Sequence, residues 1–270
     1  MNLEILHRTI YRYSLAPRRM VQTLRLLPSD SAHQRVLHWQ VRTGGTLQAQ
    51  LDAWGNPSHL MTCEQPSMRM VCESGGRVQT LGCAELIDPA GPPPWFYLRD
   101  SVLAASHARL LGMAQTAFGT ALRTESDALK WGRLLALAAA VTQTVRYESG
   151  HTDAGTSALQ ALQAGRGVCQ DHAHVFIAAC RSIGLAARYV SGYFHAQGAE
   201  FLSSHAWAEV CVDELARRWF SIDITHVCPI DERHVRLAVG PDYAACPPVA
   251  GVRSGGGTER LEVQIEIRQI

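Results

Sequence analysis

The chain has 270 residues, of which 47% are hydrophobic and 18% charged, a composition that fits a folded globular protein and excludes a disordered or fibrous one. Its 25 Lys and Arg residues stand against 24 Asp and Glu, a formal net charge of +1, so we expect neither nucleic acid nor a membrane surface as a partner. The longest apolar run, residues 134–141, is too short to cross a membrane and the N-terminus has no signal-peptide pattern, so we predict a cytoplasmic protein.

Residues 1–86 are predicted to form a β-rich N-terminal domain, arranged as a small antiparallel sandwich. Short runs that mix β-branched and aromatic residues with charged ones occur at residues 3–13, 36–41 and 69–74. Turn-forming glycine pairs, such as Gly75-Gly76, separate the runs. Because nothing in this stretch is typical of catalysis, we interpret it as a structural or interaction domain.

A proline-rich stretch at residues 89–94 marks a domain boundary, and residues 87–124 are predicted to be a linker followed by a helix. Asp100 or Ser101 is the expected cap of this helix, which ends near Phe118. We expect this segment to connect the sandwich to a second domain with different chemistry.

Residues 125–257 are predicted to form that second domain, in which helices come first and an antiparallel sheet follows, an α+β arrangement. The expected helix starts are Ser126, Thr156 and Cys169, and the expected stops of the last two helices are Gly165 and Gly184. The expected strands span residues 187–194, 205–212 and 218–223, the last two close enough to pair as a hairpin. A flexible joint at residues 254–257 precedes a C-terminal strand at residues 258–270.

Cys169 differs from the other seven cysteines by its position. It follows the loop Gly-Arg-Gly-Val and stands in the first turn of a predicted helix, where free backbone N–H groups and the helix dipole favour a thiolate and can bind an oxyanion. The remaining cysteines contain no C-x-x-C pair and are expected to be reduced, small hydrophobic residues. Cys169 is therefore the candidate nucleophile.

His205 and Asp223 are the candidate partners of this cysteine. Alternation along the strands places His205 and Asp223 on the same face of the predicted hairpin, at the same end of the sheet. A carboxylate beside an imidazole fixes the orientation of the ring and leaves its second nitrogen free to accept the thiol proton. The roles follow: Cys169 is the nucleophile, His205 the general base and acid, and Asp223 the residue that orients the histidine.

Three segments resemble the Cys, His and Asp boxes of the bacterial transglutaminase-like family, namely GVCQDHAHVFIAACRSIGLAARYVSGY, SSHAWAEV and FSIDITH. Segments of the first domain, such as YRYSLAPRRMVQTLRLLPSD, are similar to the β-rich domain that accompanies this core in bacteria. The resemblance implies a papain-like, transglutaminase-like α+β core whose site residues fall on Cys169, His205 and Asp223. Two of the boxes differ from the family pattern: the Asp box reads Asp223-Ile224-Thr225-His226 where Asp-Pro-Thr-Asn is usual, and His172 stands where the Cys box usually has an aromatic residue.

The resemblance implies thiol-dependent acyl transfer on an amide bond, with no cofactor and with a peptide or protein amide as substrate. We favour hydrolysis, including that of isopeptide-like bonds, because water is the ubiquitous acceptor. A transglutaminase that accepts an amine is one alternative, and a non-catalytic binding protein on the same fold is another.

A metal site is a further alternative, since Cys169, His172 and His174 form a C-x-x-H-x-H pattern. Positions i, i+3 and i+5 of a helix do not converge on one point, so we expect no metal. Instead, His174 is expected to pack between helix and sheet, and His172 to line the cleft.

Three more residues have two interpretations each. Tyr147 is either a second oxyanion donor or an aromatic residue packed on the core. Arg166 and Arg188 flank the cysteine helix and either attract a carboxylate-bearing substrate or are solvated surface residues.

Overall fold

The computed structural model describes residues 1–119, 126–196 and 204–270. Over these ranges the strands are β1 (Asn2–Tyr13), β2 (Pro17–Leu24), β3 (Gln34–Thr43), β4 (Thr46–Leu51), β5 (Pro57–Cys63), β6 (Arg69–Thr80), β7 (Glu85–Ile87), β8 (Arg146–Tyr147), β9 (Arg166–Gly167), β10 (Ala187–Phe194), β11 (Ser204–Asp213), β12 (Arg218–Asp223), β13 (Cys228–Pro229), β14 (His234–Gly240), β15 (Val249–Gly255) and β16 (Glu259–Gln269). The α-helices are α1 (Ala108–Phe118), α2 (Asp127–Thr144), α3 (Ala158–Ala164) and α4 (Cys169–Ser182), and short 3-10 helices span Pro94–Leu98 and Tyr243–Ala245.

The N-terminal unit is a sandwich of two four-stranded antiparallel sheets, with the strand orders β16-β1-β6-β3 and β15-β2-β5-β4. The runs at residues 3–13, 36–41 and 69–74 lie in β1, β3 and β6, as predicted. Strands β2, β4 and β5 were not predicted, because they show no clean alternation; β4, for example, is exposed along most of its length. The space between the sheets is filled by buried side chains, namely Tyr11, Tyr13, Met20, Leu24, Leu26, Met61, Met70 and Cys72.

Gly75 and Gly76 lie in the middle of β6, so the prediction of a turn at this pair is wrong. A Cβ atom on Gly76 would lie 2.1 Å from the carbonyl oxygen of His38 in β3. A Cβ atom on Gly75 would lie 2.6 Å from the carbonyl oxygen of Ile5 in β1. Glycine is needed here because neighbouring backbones approach closely, rather than because the chain reverses.

The C-terminal residues complete the N-terminal sandwich. β15 pairs with β2, where Val252 lies opposite Val21, and β16 pairs with β1 along nearly its whole length. The core predicted over residues 125–257 therefore includes β15, a strand that belongs to the sandwich. The expected joint at residues 254–257 is the crossing from one sheet to the other, where three successive glycines have positive φ. Alternation within a strand does not show which strand it will pair with.

The second unit packs helices against an antiparallel sheet with the order β13-β12-β11-β10-β14, and β7 pairs with β12. This confirms the α+β prediction and the antiparallel pairing of β11 with β12. The central helix is α4, which is buried from Asp171 to Arg181 between β10, β11 and the other three helices. Full burial of Val175 and Phe176 contributes roughly 1.5–3 kcal/mol each, so this helix is firmly fixed.

The helix predicted to begin at Asp100 or Ser101 begins at Ala108 instead. The Asp100 carboxylate accepts hydrogen bonds from the backbone N–H and the hydroxyl of Ser106, over 2.9 and 2.6 Å. A short polar side chain that bonds nearby backbone competes with a helical turn, and here the loop is preferred.

The later helices lie where they were predicted, with one small difference. The cap of α3 is Ser157 rather than Thr156. α4 ends just before Gly184, whose φ of 81° is the left-handed conformation expected of a helix stop. None of the helices in the described ranges is long and apolar enough to span a membrane.

The sandwich covers the outer edge of β14, the last strand of the core sheet. The Asn56 side-chain amide donates to the carbonyl of Val239 over 2.7 Å and accepts from its N–H over 2.8 Å. The Gln34 amide makes the same pair of bonds with Arg236, over 2.9 and 2.8 Å. Two side-chain amides thus take the place of a neighbouring strand and satisfy an edge that would otherwise be open.

Candidate active site

Cys169 is the first residue of α4, and its side chain is partly buried. The backbone N–H of Val168 donates to Asp171 Oδ2 over 2.8 Å, and the hydroxyl of Thr152 donates to the same oxygen over 2.7 Å. These bonds hold the loop that precedes the helix. The thiol therefore lies at the positive end of the helix dipole, where free N–H groups stabilise negative charge.

Gly167 makes room for this arrangement. A Cβ atom at this position would lie 2.5 Å from Asp171 Oδ2. Burial raises the pKa of Asp171, while the bonds from Val168 and Thr152 act in the opposite direction. The loop before the nucleophile is thus defined by one glycine and one buried carboxyl group.

His205 and Asp223 meet at one end of the core sheet, on the paired strands β11 and β12. His205 Nε2 lies 2.8 Å from Asp223 Oδ2, and both side chains are buried. Because this bond uses Nε2, Nδ1 is the ring nitrogen left to accept a proton from the Cys169 thiol. Burial disfavours the charged ring, but the hydrogen bonds with Asp223 and Cys169 raise the pKa of His205 to about 10. The structure thus brings together the three residues that the sequence pattern indicates.

Three imidazole rings converge on one oxygen of Asp223. Oδ2 lies 2.8 Å from His205 Nε2, 2.6 Å from His226 Nδ1 and 3.0 Å from His234 Nε2. Oδ1 accepts the backbone N–H of His226 over 3.1 Å. Although burial acts to raise the pKa of Asp223, these hydrogen bonds hold it well below its usual range. The carboxylate is therefore ionised at neutral pH and can only accept, so each ring donates to it.

Sequence reasoning did not identify His226 or His234 as parts of the site. His226 follows Asp223 by three residues in a turn, a spacing that was available as a signal, and its ring stacks on Phe194 with 4.5 Å between ring centroids. His234 lies on β14, which is separated from β12 by two strands. No local pattern indicates that contact.

His172 and His174 have separate partners. His172 Nε2 lies 2.8 Å from the carbonyl oxygen of Val145, and Nδ1 lies 3.1 Å from the Thr225 hydroxyl. With 1% of its surface exposed, His172 does not line an open cleft, contrary to expectation. His174 is buried between helix and sheet, as predicted, and its Nε2 accepts the backbone N–H of Tyr243 over 3.1 Å.

Within the part of the chain that the structure describes, His205, Asp223 and His234 are the group whose side chains could hold a metal ion. Their ligand atoms lie within 4.8 Å of one another. However, the carboxylate oxygen already occupies the point on which the two nitrogens converge, at the hydrogen-bonding distances of 2.8 and 3.0 Å. A zinc ion would need about 2.0–2.2 Å to each ligand, so hydrogen bonding accounts for this geometry without a metal.

Tyr147 lies beside the nucleophile and is not packed into the core. It is on β8, which pairs in parallel with β9, so that Tyr147 lies opposite Gly167. Tyr147 is 58% exposed; partial burial raises the pKa of its hydroxyl, and the nearby Cys169 adds to this rise. This position fits the interpretation of Tyr147 as an oxyanion donor better than that of a core residue.

The two arginines near the cysteine helix differ in their surroundings. Arg188 is fully buried, paired with Glu209 over 2.7 Å and placed 4.0 Å above the Trp219 ring, so neither interpretation made from the sequence applies to it. Arg166 is exposed on β9 and lies 3.8 Å from Glu148, a loose contact. Of the two arginines, Arg166 is therefore the one that a substrate could reach.

Comparison with known proteins gives matches over most of the chain. Residues 116–224 match the transglutaminase-like superfamily, and residues 3–79 match the bacterial transglutaminase-like N-terminal region. An uncharacterised protein of Mycobacterium leprae is 27% identical over 99% of each chain, and one of Mycobacterium tuberculosis is 29% identical over 92% of this chain and 86% of its own. The crystal structure of a provisionally assigned cysteine protease from Cytophaga hutchinsonii has the same fold: it covers 99% of this chain and 90% of its own at 19% identity, with a TM-score of 0.76.

Proposed function

Since the chain belongs to the transglutaminase-like superfamily by its core and carries the bacterial N-terminal region of that family, we propose that it transfers an acyl group from an amide bond by thiol chemistry. In this proposal Cys169 is the nucleophile, His205 the general base and then the general acid, and Asp223 the residue that orients the histidine. One observation supports it above the others. The buried bond of 2.8 Å between His205 and Asp223 holds the ring, and the Cys169 thiol at the start of α4 adds to the rise in the pKa of that ring.

The reaction has two halves. The thiol proton passes to His205, and the sulfur attacks the amide carbonyl carbon, so that the carbonyl electron pair moves onto the oxygen. The backbone N–H of Cys169 and the Tyr147 hydroxyl are the donors proposed for that oxyanion. When the C–N bond breaks, the leaving amine takes the proton from His205, and a thioester remains. Water or an amine then attacks the thioester carbonyl and gives its proton to the same ring. As the C–S bond breaks and the acyl product leaves, the sulfur takes this proton from His205, which restores the free thiol.

Hydrolysis of a peptide, protein or isopeptide-like amide is the reaction we propose, because water needs no dedicated acceptor site. No cofactor is required by these steps. An amine acceptor would give a transglutaminase with the same first half-reaction, and product analysis distinguishes the two. A cytoplasmic location remains a prediction from the sequence.

The test is the pH dependence of iodoacetamide alkylation at each cysteine, measured peptide by peptide with mass spectrometry. An imidazolium beside the sulfur favours the thiolate, so we expect Cys169 to react rapidly at pH 6, where a free thiol with a pKa of about 8.5 is almost entirely protonated. Cys63 is partly buried and serves as the reference thiol in the same molecule.

A library of amide substrates, assayed in parallel, then identifies the acyl donor. Cys169→Ala is the control for turnover. If Cys169 reacts no faster than Cys63 at pH 6, the nucleophile is not activated, and the alternative of a binding protein on this fold replaces the proposal.

A further inference from the structure

His234 is anchored at both ring nitrogens. Its Nε2 lies 3.0 Å from Asp223 Oδ2, and its Nδ1 lies 3.1 Å from both the backbone N and the carboxylate Oδ1 of Asp231. The Asp231 carboxylate is itself fixed by the Arg233 guanidinium, at 2.6 and 2.9 Å. The ring is completely buried, so it has no freedom to turn away from Asp223.

The backbone around His234 is held from the other side by the N-terminal sandwich. The ring of His33, which is fully buried, lies between two carbonyl oxygens: its Nε2 is 2.7 Å from that of His234 and its Nδ1 is 3.1 Å from that of Cys83. The Thr80 hydroxyl donates to the carbonyl of Glu232 over 2.5 Å. Together with the Gln34 amide on the next part of β14, these contacts place sandwich side chains on both sides of residue 234.

Apart from His234 and the catalytic histidine, the hydrogen-bond donors to Asp223 all come from one side. His226 holds the carboxylate by its ring at 2.6 Å and by its backbone N–H at 3.1 Å, both from the turn that follows β12. His234 donates to Asp223 from β14, so among the described residues it is the donor that belongs neither to that turn nor to the pair His205–Asp223. Without it, every remaining donor except His205 comes from that turn, so we expect the carboxylate to shift towards His226.

We infer that the N-terminal sandwich is part of the catalytic apparatus: by holding β14 through His33, it fixes His234 as the positioning residue that keeps Asp223 directed at His205. This inference rests on the proposed function, because it concerns the alignment of the same catalytic pair. It gives the sandwich a task beyond packing. His33 and His234, which are 201 positions apart in sequence, then act together on the Asp223 carboxylate.

The experiment measures alkylation of Cys169 by iodoacetamide at pH 6 and pH 9 in the full chain, with Cys63 as the reference thiol. The variants are His234→Leu, His234→Gln and His33→Leu, and the matched control is His38→Leu, since His38 is an exposed histidine of the same sandwich. Protection of the fully buried Cys180 reports whether each variant is folded.

We expect His234→Leu to lower the rate at pH 6 about tenfold, because a misplaced carboxylate no longer holds the imidazolium beside the sulfur. The rate at pH 9 should change little, since solvent then deprotonates the thiol without help. His234→Gln keeps an N–H donor and should fall between wild type and Leu. His33→Leu should lower the pH 6 rate by about threefold, and His38→Leu should behave as wild type.

Each result has one meaning. A slow wild-type Cys169 at pH 6 overturns the proposed function, and this inference with it. A fast wild type with an unchanged His234→Leu profile overturns the positioning role alone. A loss in His234→Leu without any loss in His33→Leu overturns the part assigned to the sandwich. If Cys180 becomes reactive in His234→Leu, that variant is not folded and His234→Gln decides the question. A rate of Cys169 alkylation at pH 6 in His234→Gln that is no higher than in His234→Leu contradicts donation from residue 234 to Asp223.

Discussion

At the scale of single residues, the site depends on how one buried carboxylate is hydrogen-bonded. Asp223 has no exposed surface, yet it is ionised, because three imidazole rings and one backbone N–H donate to it. A buried charge is costly unless its hydrogen bonds are satisfied, and here they are. The charge of the carboxylate is what permits His205 to carry a proton beside the thiol.

Asp223→Asn should preserve the fold and lower turnover by about 10²–10⁴-fold, because the amide stabilises the wrong ring tautomer. The same substitution should lower the rate of Cys169 alkylation at pH 6. Turnover and alkylation near wild-type values in the Asn variant would remove Asp223 from the mechanism.

The same variant should show a characteristic dependence of stability on pH. The lowered pKa of Asp223 stabilises the fold above about pH 4, and this contribution is lost as pH falls further. The pKa of His205, raised to about 10, stabilises it below about pH 6.5, and this contribution is lost as pH rises towards 10. We therefore expect wild type to exceed Asp223→Asn by about 3 kcal/mol near pH 5.5.

Urea unfolding at about pH 2.5, 5.5 and 9.5 checks this prediction. The difference between the two proteins should be largest at the middle value and smaller at both ends. A difference that is constant over the three conditions would mean that the pair makes no ionic contribution to folding.

Cys169 itself should contribute little to stability. Its side chain is only partly buried at the start of α4. We expect Cys169→Ala to change the free energy of unfolding by less than about 1 kcal/mol, while it abolishes acyl transfer. Chemical denaturation and the substrate assay measure the two effects separately, and a large loss of stability would show that the thiol has a structural role.

At the scale of elements, the start of α4 is prepared by side chains that do not take part in catalysis. Asp171 accepts bonds from Val168 and Thr152, and Gly167 provides the space that the carboxyl group occupies. The rest of α4 is buried against the sheet, which fixes the axis of the helix. The position of the nucleophile therefore depends on the cap as much as on the helix.

Asp171→Ala should lower stability by about 1–2 kcal/mol, the typical cost of losing a helix cap. It should also slow alkylation of Cys169 at pH 6, since the loop before the thiol loses both of its bonds to the carboxylate. Gln170→Ala is the matched control, because the bonds of this neighbouring side chain within the described ranges are two long ones of 3.4 Å. Equal stability in the two variants would contradict a capping role for Asp171.

At the scale of the whole molecule, the two units are not independent. The C-terminal strands β15 and β16 return to the sandwich, and Asn56 and Gln34 of the sandwich close the edge of β14. The chain passes from sandwich to core and back again, so a cut between them severs strand pairing as well as a linker. We expect a single cooperative unfolding transition.

Asn56→Ala should lower the stability of the whole chain by about 1–3 kcal/mol, because the N–H and carbonyl of Val239 lose their partners in a buried place. Asn2→Ala, at an exposed strand end, is the control. Calorimetry that resolves two transitions, with only the sandwich affected by Asn56→Ala, would contradict the coupling of the two units.

The sequence by itself determined the features that depend on near neighbours. Alternation placed His205 and Asp223 on one face of a hairpin, and the glycine loop with its helical pattern placed Cys169 at a helix start, because side-chain direction follows from strand and helix geometry. Only the tertiary structure decided which distant segments meet. His234 reaches Asp223 across a sheet, β15 and β16 pair with the N-terminal strands, and Arg188 is buried. Such contacts are set by how the elements pack together, and no local periodicity encodes them.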